Sequence, residues 1–208
     1  MPGRPQGADL GCGSGAATLA LAEILDADVI AADVSAPSLA VLAEAARAAG
    51  LTDRVRPLKA DFTALDWPEA HLDLIWSEGS SYMMGLPEAL TSWRRFLKPG
   101  GVLVVPDAVW LTHTPSQESV RLWADDYPGM TDLPSLRGHA KPAGFEILED
   151  AILPKSAWLS YYADIRAGLA VAPADLPEDF AQLMANEANV YDRNCEDFSY
   201  VVLVLQRR

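Results

Sequence analysis

The stretch ADLGCGSG, Ala8–Gly15, decides the fold that this sequence predicts. Its three glycines, Gly11, Gly13 and Gly15, allow the backbone to turn sharply and to approach a bulky ligand without Cβ atoms in the way. The run AATLALAEIL that follows is rich in Ala and Leu, which predicts a helix whose first N–H groups point back at that ligand. The stretch is therefore interpreted as a strand end, a glycine turn and a helix start at a nucleotide-cofactor site. A tight turn that holds no ligand is the alternative.

Strand and helix patterns alternate after this point, which predicts a doubly wound, Rossmann-like α/β sheet with right-handed crossovers. The sheet is expected to have seven strands, mostly parallel. The last strand follows a long insert and closes the chain, so an antiparallel position at the edge of the sheet is expected. The predicted strands are Gln6–Leu10, Ala27–Ser35, Val55–Ala60, Leu72–Trp76, Val102–Trp110, Gly144–Leu153 and Phe198–Arg208.

Polar residues follow several of these strands where each one ends. Asp33 comes about 20 residues after the glycines, where a carboxylate can accept hydrogen bonds from ribose hydroxyls. Asp61 and Phe62 follow the third strand, and Ser77 follows the fourth. Ligands of such sheets bind beyond the carboxyl ends of the strands, where strand order reverses, so these residues are predicted to share one site.

Composition limits the classes of function. The chain has 208 residues, half of them apolar, and a length typical of a single domain. Its 29 acidic and 16 basic residues give a formal net charge of −13, which disfavours a nucleic-acid or anionic-membrane partner. No apolar run approaches the length of a membrane span. The two cysteines, Cys12 and Cys195, have no metal-ligand spacing, and a reduced, cytoplasmic setting is expected.

The motifs together resemble those of the class I S-adenosylmethionine-dependent methyltransferases, over nearly the whole chain. In order, they are ADLGCGSG, IAADVS with Asp33, KADF, DLIWSEGS and LKPGGVLVV. The segments IWSEGSSYMMGLPEAL and ILPKSAWLSYY look more specifically like small bacterial methyltransferases of the type 11/12, or ubiquinone/menaquinone-methyltransferase-like, group. The resemblance implies an enzyme that transfers a methyl group from S-adenosylmethionine to a small-molecule acceptor, leaving S-adenosylhomocysteine.

Two alternatives stay open. A nicotinamide-dependent oxidoreductase would also use the GCGSGA fingerprint, and Asp33 would serve either cofactor's ribose. Asp9, the pair Asp61 and Phe62, and the LKPGG turn fit the methyltransferase pattern better. A non-catalytic cofactor-binding protein is the second alternative. No helix precedes the predicted first strand, so the N-terminal cover helix of the family is expected to be absent and the competence of the cofactor site is left open.

The resemblance also implies roles for individual residues in cofactor binding. The three glycines would pass beneath the methionine and ribose, Asp9 would orient the loop or the amino group, and Asp33 would bind the ribose hydroxyls. Asp61 would accept from the adenine amino group, while Phe62 offers a backbone N–H and an apolar wall. Ser77 and Glu78 would flank the sulfonium and the acceptor.

The acceptor side is less defined. A general base is needed only if loss of a proton from the acceptor limits the rate, and the candidates are Glu78, Asp107 and His113. Residues 111–195 of the single domain 1–208 are expected to contribute substrate-side helices, with Lys155–Tyr162 as a lid or an ordinary packed loop. No metal site is expected, because Asp125 and Asp126 are interpreted as a solvated helix end. A homodimer is possible on this sequence. The aromatic side chains predicted to wall the acceptor pocket include Tyr82, Trp110, Trp158 and Tyr162.

Overall fold

A computed structural model describes residues 3–124, 127–171 and 176–208. The strands in this part of the chain are β1 (Gln6–Leu10), β2 (Asp28–Asp33), β3 (Val55–Lys59), β4 (Leu72–Trp76), β5 (Leu97–Trp110), β6 (Thr131–Asp132), β7 (Phe145–Ile152) and β8 (Phe198–Arg207). The α-helices are α1 (Ala16–Ile24), α2 (Ala36–Ala48), α3 (Leu86–Arg94), α4 (Gln117–Ala124), α5 (Leu133–Gly138), α6 (Lys155–Ala170) and α7 (Glu178–Asn194). A 3-10 turn, Ser81–Met83, follows β4.

The strands form one sheet in the order β3-β2-β1-β4-β5-β8-β7, and the two-residue β6 pairs with the end of β5. Strands β1 to β6 pair in parallel, and the C-terminal strand β8 is antiparallel. The chain runs outward from β1 to β3 and then returns to the other side of β1 with β4. Strand order therefore reverses between β1 and β4, which is where such sheets bind ligands. The predicted Rossmann-like fold is confirmed.

Strand β8 corrects one expectation. It lies between β5 and β7 rather than at the edge of the sheet. Its central run, YVVLVL, is apolar at every position, and Val201, Leu203 and Leu205 are fully buried. A continuous apolar run is typical of a strand that is covered on both faces. The edge position falls to β7, whose exposed residues include Glu146 and Glu149.

The start of β5 and the segment Lys155–Tyr162 also differ from the prediction. Strand β5 begins at Leu97 instead of Val102, because the predicted LKPGG turn continues the strand through a register irregularity opposite Leu72. The segment Lys155–Tyr162, expected to be a lid or loop, forms the first half of helix α6. The buried face of this helix carries Trp158 and Tyr162, four residues apart as one helix face requires.

The described residues divide into two compact units. The first draws on the ranges Met1–Asp107, Arg137–Asp150 and Val202–Arg208, and the second on Ala108–Leu136 and Ala151–Val201. In the first unit, aliphatic residues of α1, α2 and β2 pack into one core cluster. In the second, the core is dominated by aromatic rings from α6, α7 and β8. No helix in the described part of the chain has both the length and the apolar character that crossing a bilayer demands.

Candidate cofactor and active site

The glycine loop connects β1 to α1 at the strand-order reversal. The N–H groups of Gly11 and Cys12 both donate to the carbonyl oxygen of Ala32, at 2.8 and 3.2 Å, which ties the loop to the end of β2. Gly11, Gly13 and Gly15 have φ angles of 76°, 52° and 87°, in the left-handed region that favours glycine. The loop conformation therefore depends on glycine at all three positions.

The surroundings of the three glycines differ. A Cβ at Gly11 would lie 2.5 Å from Cβ of Ser80, and a Cβ at Gly15 would lie 2.2 Å from Cδ1 of Leu42. These two glycines allow the loop to pack against its own protein. A Cβ at Gly13 would meet no atom within 4 Å. The backbone of Gly13 thus faces open space, and this is where a ligand can approach the loop closely.

Asp33, at the end of β2, organises the loop and the next helix. Its Oδ2 accepts a hydrogen bond from the N–H of Gly13 at 2.8 Å, and its Oδ1 accepts one from the N–H of Ser35 at 2.7 Å. Ser35 in turn caps the N-terminus of α2. Each carboxylate oxygen can accept a further hydrogen bond, so the predicted contact with ribose hydroxyls is compatible with these bonds.

Asp9 lies in β1 with only 1% of its surface exposed. Its Oδ2 accepts a hydrogen bond of 2.5 Å from Oγ1 of the fully buried Thr18. Burial raises the pKa of Asp9 from 3.8 to about 6, against the lowering effect of Thr18, and the negative charges of Glu78 and Asp33 raise it further. Asp9, Asp33 and Glu78 therefore form an acidic group near the glycine loop, in which the negative charges repel one another.

The same surroundings suppress ionisation of Cys12. Burial, followed by the charges of Asp9 and Asp33, raises the pKa of its thiol to about 12. The thiolate is the reactive form of cysteine, so this residue stays a protonated packing group near neutral pH.

The segment after β4 contains both a buried and an exposed polar group. The hydroxyls of Ser77 and Ser80 are hydrogen-bonded at 2.7 Å, and that of Ser80 also donates to the carbonyl oxygen of Leu10 at 2.8 Å. The Glu78 side chain is exposed, and the indole Nε1 of Trp76 lies 3.4 Å from its Oε2. Glu78 is thus the accessible group in this segment, whereas Ser77 is enclosed and bonded within the protein.

Asp61 and Phe62 follow β3 and differ in burial. Asp61 is exposed, and its Oδ1 accepts hydrogen bonds from the hydroxyl and N–H of Thr63, which lower the pKa of Asp61. Phe62 is buried, with its ring edge-to-face against Trp93 at a centroid distance of 6.1 Å. The carbonyl oxygen of Phe62 also accepts from the indole of Trp93 at 3.2 Å. The ring is therefore anchored, and the carboxylate beside it remains accessible.

The predicted residues divide between the two units. The first unit brings together the glycine loop, Asp9, Asp33, Asp61, Phe62, Ser77 and Glu78, and also contains Tyr82, which is 45% exposed in the 3-10 turn, and the buried Asp107 of β5. The second unit contains Trp110, His113, Trp158 and Tyr162. His113 is exposed in the loop after β5. Hydrogen bonding by Ser135 is the main cause that lowers the pKa of Asp132, and the charge of His113 lowers it slightly further.

Trp158 and Tyr162 are structural members of the second unit's core. Trp158 is 4% exposed and its indole donates to Oγ of Ser199 at 2.9 Å, while Tyr162 is fully buried and donates to Glu187 at 3.0 Å. The Trp158 ring stacks on that of Tyr162 at 5.7 Å and on that of Tyr191 at 5.0 Å. Burial raises the pKa of Tyr162 well above its usual range. Trp110 packs against the same cluster and is partly buried.

In residues 3–124, 127–171 and 176–208, no group of three or more His, Cys, Asp and Glu side chains is arranged to hold a metal ion. The pair Asp125 and Asp126, interpreted from the sequence as a solvated helix end, lies outside the described residues.

Two residues at this site were missed in the sequence. Thr18 shares a buried helix face with Leu21 and Ala22, at spacings of three and four residues, so a polar residue on an inward face was the available signal. Ser80 is hydrogen-bonded to Leu10, which is 70 residues away in the sequence, and no local sequence pattern predicts such a contact.

Fold and site together define a Rossmann-like α/β protein with an acidic glycine loop at the strand-order reversal. The all-parallel dinucleotide fold has the order 3-2-1-4-5-6, whereas this sheet inserts the antiparallel β8 between β5 and β7. This difference disfavours the oxidoreductase alternative.

Residues 8–101 match the family model described as a methyltransferase domain. Phosphoethanolamine N-methyltransferase 1 of Arabidopsis thaliana is 32% identical over 111 residues, covering 53% of this chain and 22% of that protein. The 27-O-demethylrifamycin SV methyltransferase of Amycolatopsis mediterranei is 28% identical over 144 residues, covering 66% of this chain and 53% of that protein. The chain thus spans only about half, or less, of these curated relatives.

The crystal structure of a SAM-dependent methyltransferase from Geobacter sulfurreducens, in complex with S-adenosylhomocysteine, has the same fold. Its TM-score is 0.83 at 20% identity, over 100% of this chain and 86% of that chain. Residues 8–101 are thus similar to a methyltransferase domain, and the fold is that of solved S-adenosylmethionine-dependent methyltransferases.

Proposed function

We propose that this chain transfers a methyl group from S-adenosylmethionine to a small-molecule acceptor. The observation that carries the proposal is the open face of Gly13, whose N–H is bonded to Asp33, a carboxylate that interacts electrostatically with Asp9, as does Glu78. The open face leaves room for a ligand against the backbone, and the carboxylates favour one that carries positive charge.

Charge favours this cofactor over a nicotinamide dinucleotide. The mutual repulsion that helps to raise the pKa of Asp9 is relieved when a cation binds beside the acidic group. S-adenosylmethionine carries a sulfonium and an ammonium group, whereas the pyrophosphate of a dinucleotide would add negative charge. When bound, S-adenosylmethionine supplies a methyl group that its positively charged sulfur activates for displacement.

The residues of this chain would hold the cofactor as follows. Asp33 fixes the N–H of Gly13 and offers its remaining lone pairs to ribose hydroxyls. Asp61 is accessible for the adenine amino group, and the anchored Phe62 ring supplies an apolar wall. Methyl transfer requires donor and acceptor to be aligned and dry, so most of the catalytic effect would come from this positioning.

Glu78 is the proposed contact to the acceptor. It is exposed, belongs to the same unit as the glycine loop, and its charge reaches Asp9. Where the acceptor loses a proton during the reaction, Glu78 would accept it, with the exposed His113 as the second candidate. A hydrogen-bonded aromatic partner, Trp76, holds the Glu78 carboxylate near β4.

The setting of the enzyme is also part of the proposal. The two free cysteines, Cys12 and Cys195, favour a reduced, cytoplasmic setting, and the net charge of −13 disfavours nucleic acid and anionic surfaces as partners. A homodimer and membership of the ubiquinone/menaquinone-methyltransferase-like group stay predictions.

The test is calorimetric titration with S-adenosylhomocysteine of the unaltered chain and of Asp33→Ala and Asp53→Ala. Asp53 is a matched control, because its carboxylate is exposed and its ion pair with Arg4 is long, at 3.9 Å. We expect Asp33→Ala to weaken binding tenfold or more, a loss of about 1.4 kcal/mol, and Asp53→Ala to leave it unchanged. Equal affinity for all three proteins would contradict the assigned role of Asp33.

Turnover is then measured with methyl-labelled S-adenosylmethionine and a panel of amines, phenols and carboxylic acids. Labelled product formed by the unaltered chain and lost in Asp33→Ala supports the proposal. S-adenosylhomocysteine binding without turnover of any acceptor favours the non-catalytic alternative.

A further inference from the structure

The hydrogen-bond ladder between β1 and β4 ends one residue before β1 does. Asp9 and Trp76 form its last pair, and the next carbonyl of β1, that of Leu10, has passed the end of β4. A side chain takes over from the ladder here. The hydroxyl of Ser80 donates to the Leu10 oxygen at 2.8 Å, and this side chain is 4% exposed.

Ser77 completes a two-serine relay. Its hydroxyl lies 2.7 Å from that of Ser80, and it is fully buried. Because the proton of Ser80 is directed to Leu10, the bond between the serines is donated by Ser77 and accepted by Ser80. The relay therefore runs from Ser77 through Ser80 to the backbone at the start of the glycine loop.

The same Ser80 side chain also limits the loop sterically. A Cβ at Gly11 would lie 2.5 Å from Cβ and 2.6 Å from Oγ of Ser80, so the Gly11 backbone rests against this side chain. From the other side, the loop is held by the Ala32 carbonyl and by Asp33. The loop is consequently fixed between β2 and the segment after β4.

We infer that Ser80 is a positioning residue for cofactor binding, which fixes the glycine loop from the β4 side through its bond to Leu10 and its contact with Gly11. The inference rests on the proposed function, since the loop must hold the cofactor for its position to affect affinity. Ser77 acts through Ser80, by orienting its hydroxyl.

Removing the Ser80 hydroxyl leaves the Leu10 carbonyl without this donor and removes a contact from the loop. A buried acceptor that loses its partner is costly, and the loop relieves this by moving. The cofactor must then restore the native loop position when it binds, and the free energy that this requires lowers the binding affinity.

The test measures affinity for S-adenosylhomocysteine and thermal stability in Ser80→Ala, Ser77→Ala and the double variant. We expect Ser80→Ala to weaken binding about tenfold, about 1.4 kcal/mol, and Ser77→Ala to weaken it about threefold. The double variant should match Ser80→Ala, because Ser77 has nothing left to orient. In turnover, the KM for S-adenosylmethionine should rise while kcat stays close to that of the unaltered chain.

Ser199→Ala is the matched control. Ser199 is also a buried serine with two hydrogen bonds, accepting from Trp158 and donating to the Leu153 carbonyl, but it belongs to the second unit. It should lower the melting temperature to a similar extent without changing affinity. Ser80→Cys replaces the hydroxyl by a somewhat larger thiol, which is a weaker donor. It is the variant to measure where Ser80→Ala fails to fold, and it should also bind more weakly than the unaltered chain.

Unchanged affinity in folded Ser80→Ala, or in Ser80→Cys where it is needed, would overturn the inference while the binding of the unaltered chain upholds the cofactor assignment. Additive losses in the double variant would overturn the relay. If the unaltered chain itself does not bind S-adenosylhomocysteine, the proposed function fails and the inference fails with it.

Discussion

Substitution of the loop glycines by alanine should distinguish a glycine that leaves room for the ligand from a glycine that is needed for packing within the protein. All three positions have positive φ, so alanine carries a backbone cost of about 1–2 kcal/mol at each. At Gly13, no protein atom lies within 4 Å of the new methyl group, and this backbone cost is the whole expected loss of stability. At Gly15, the methyl would lie 2.2 Å from Leu42, so overpacking adds about 1–3 kcal/mol.

The two variants should therefore fail in different ways. Gly13→Ala should remain folded but lose S-adenosylhomocysteine affinity tenfold or more, because the methyl group fills the space that the cofactor needs. Gly15→Ala should lose about 2–5 kcal/mol of the free energy of unfolding, a large part of what a typical domain has. Urea denaturation and calorimetric titration measure the two effects.

Gly50→Ala is the control for backbone strain. Gly50 also has a positive φ, 69°, and a Cβ there would meet no atom within 4 Å, but it lies after helix α2, away from the glycine loop. It should lose about as much stability as Gly13→Ala and none of the affinity. If Gly13→Ala binds as tightly as Gly50→Ala, the open face of Gly13 is not where the cofactor lies and the reasoning is refuted.

Three other perturbations have definite expected outcomes. Burial raises the pKa of Asp9 from 3.8 to about 6, so the native state binds more protons than the unfolded state between those pH values. The contribution of Asp9 to the free energy of unfolding should therefore fall as pH rises from about 4 to 6. The fall is about 3 kcal/mol at most. Carboxyls whose pKa is lowered, such as Asp61 and Asp132, act in the opposite direction, so the test is the difference between two pH profiles of urea denaturation. Relative to Asp9→Asn, the unaltered chain should lose stability across this range, and identical profiles would argue against the buried, ionisable Asp9. Since ionised Asp9 favours a cation, the affinity for S-adenosylmethionine relative to that for the uncharged-sulfur product should rise from pH 5 to pH 7, and a constant ratio in parallel titrations would count against this. Trp158→Ala should lower the free energy of unfolding by about 3–5 kcal/mol, because this side chain packs in the core. Tyr162→Phe should lower it by about 1 kcal/mol, through loss of the hydrogen bond to Glu187. A stable Trp158→Ala variant with a raised KM for the acceptor would instead support the predicted role in the pocket wall.

The local sequence pattern predicts the structure correctly where a single short stretch determines it. Strands β1 and β4 have the bounds that the sequence predicts, because a glycine-containing polar turn follows the last residue of each. The placement of Asp33 beside the glycine loop follows from the parallel pairing of β1 with β2, and its bond to Gly13 bears this out. The family resemblance follows from the same short motifs.

The errors arise where burial depends on distant residues. The segment KSAWLSYY was not recognised as helical, although Trp158, Tyr162 and Ile165 follow a helical period, because its serines and tyrosines obscure the apolar stripe. The inner position of β8 depends on its neighbours β5 and β7, which the chain order does not reveal. The relay from Ser77 to Leu10 joins residues far apart in sequence, so only the folded sheet brings it together.

The most direct test of the cofactor assignment is a side-by-side titration of the unaltered chain with S-adenosylhomocysteine and with NADH. We expect saturable, one-to-one binding of S-adenosylhomocysteine in the micromolar range and no measurable binding of NADH. Binding of NADH without binding of S-adenosylhomocysteine would contradict it and restore the oxidoreductase alternative.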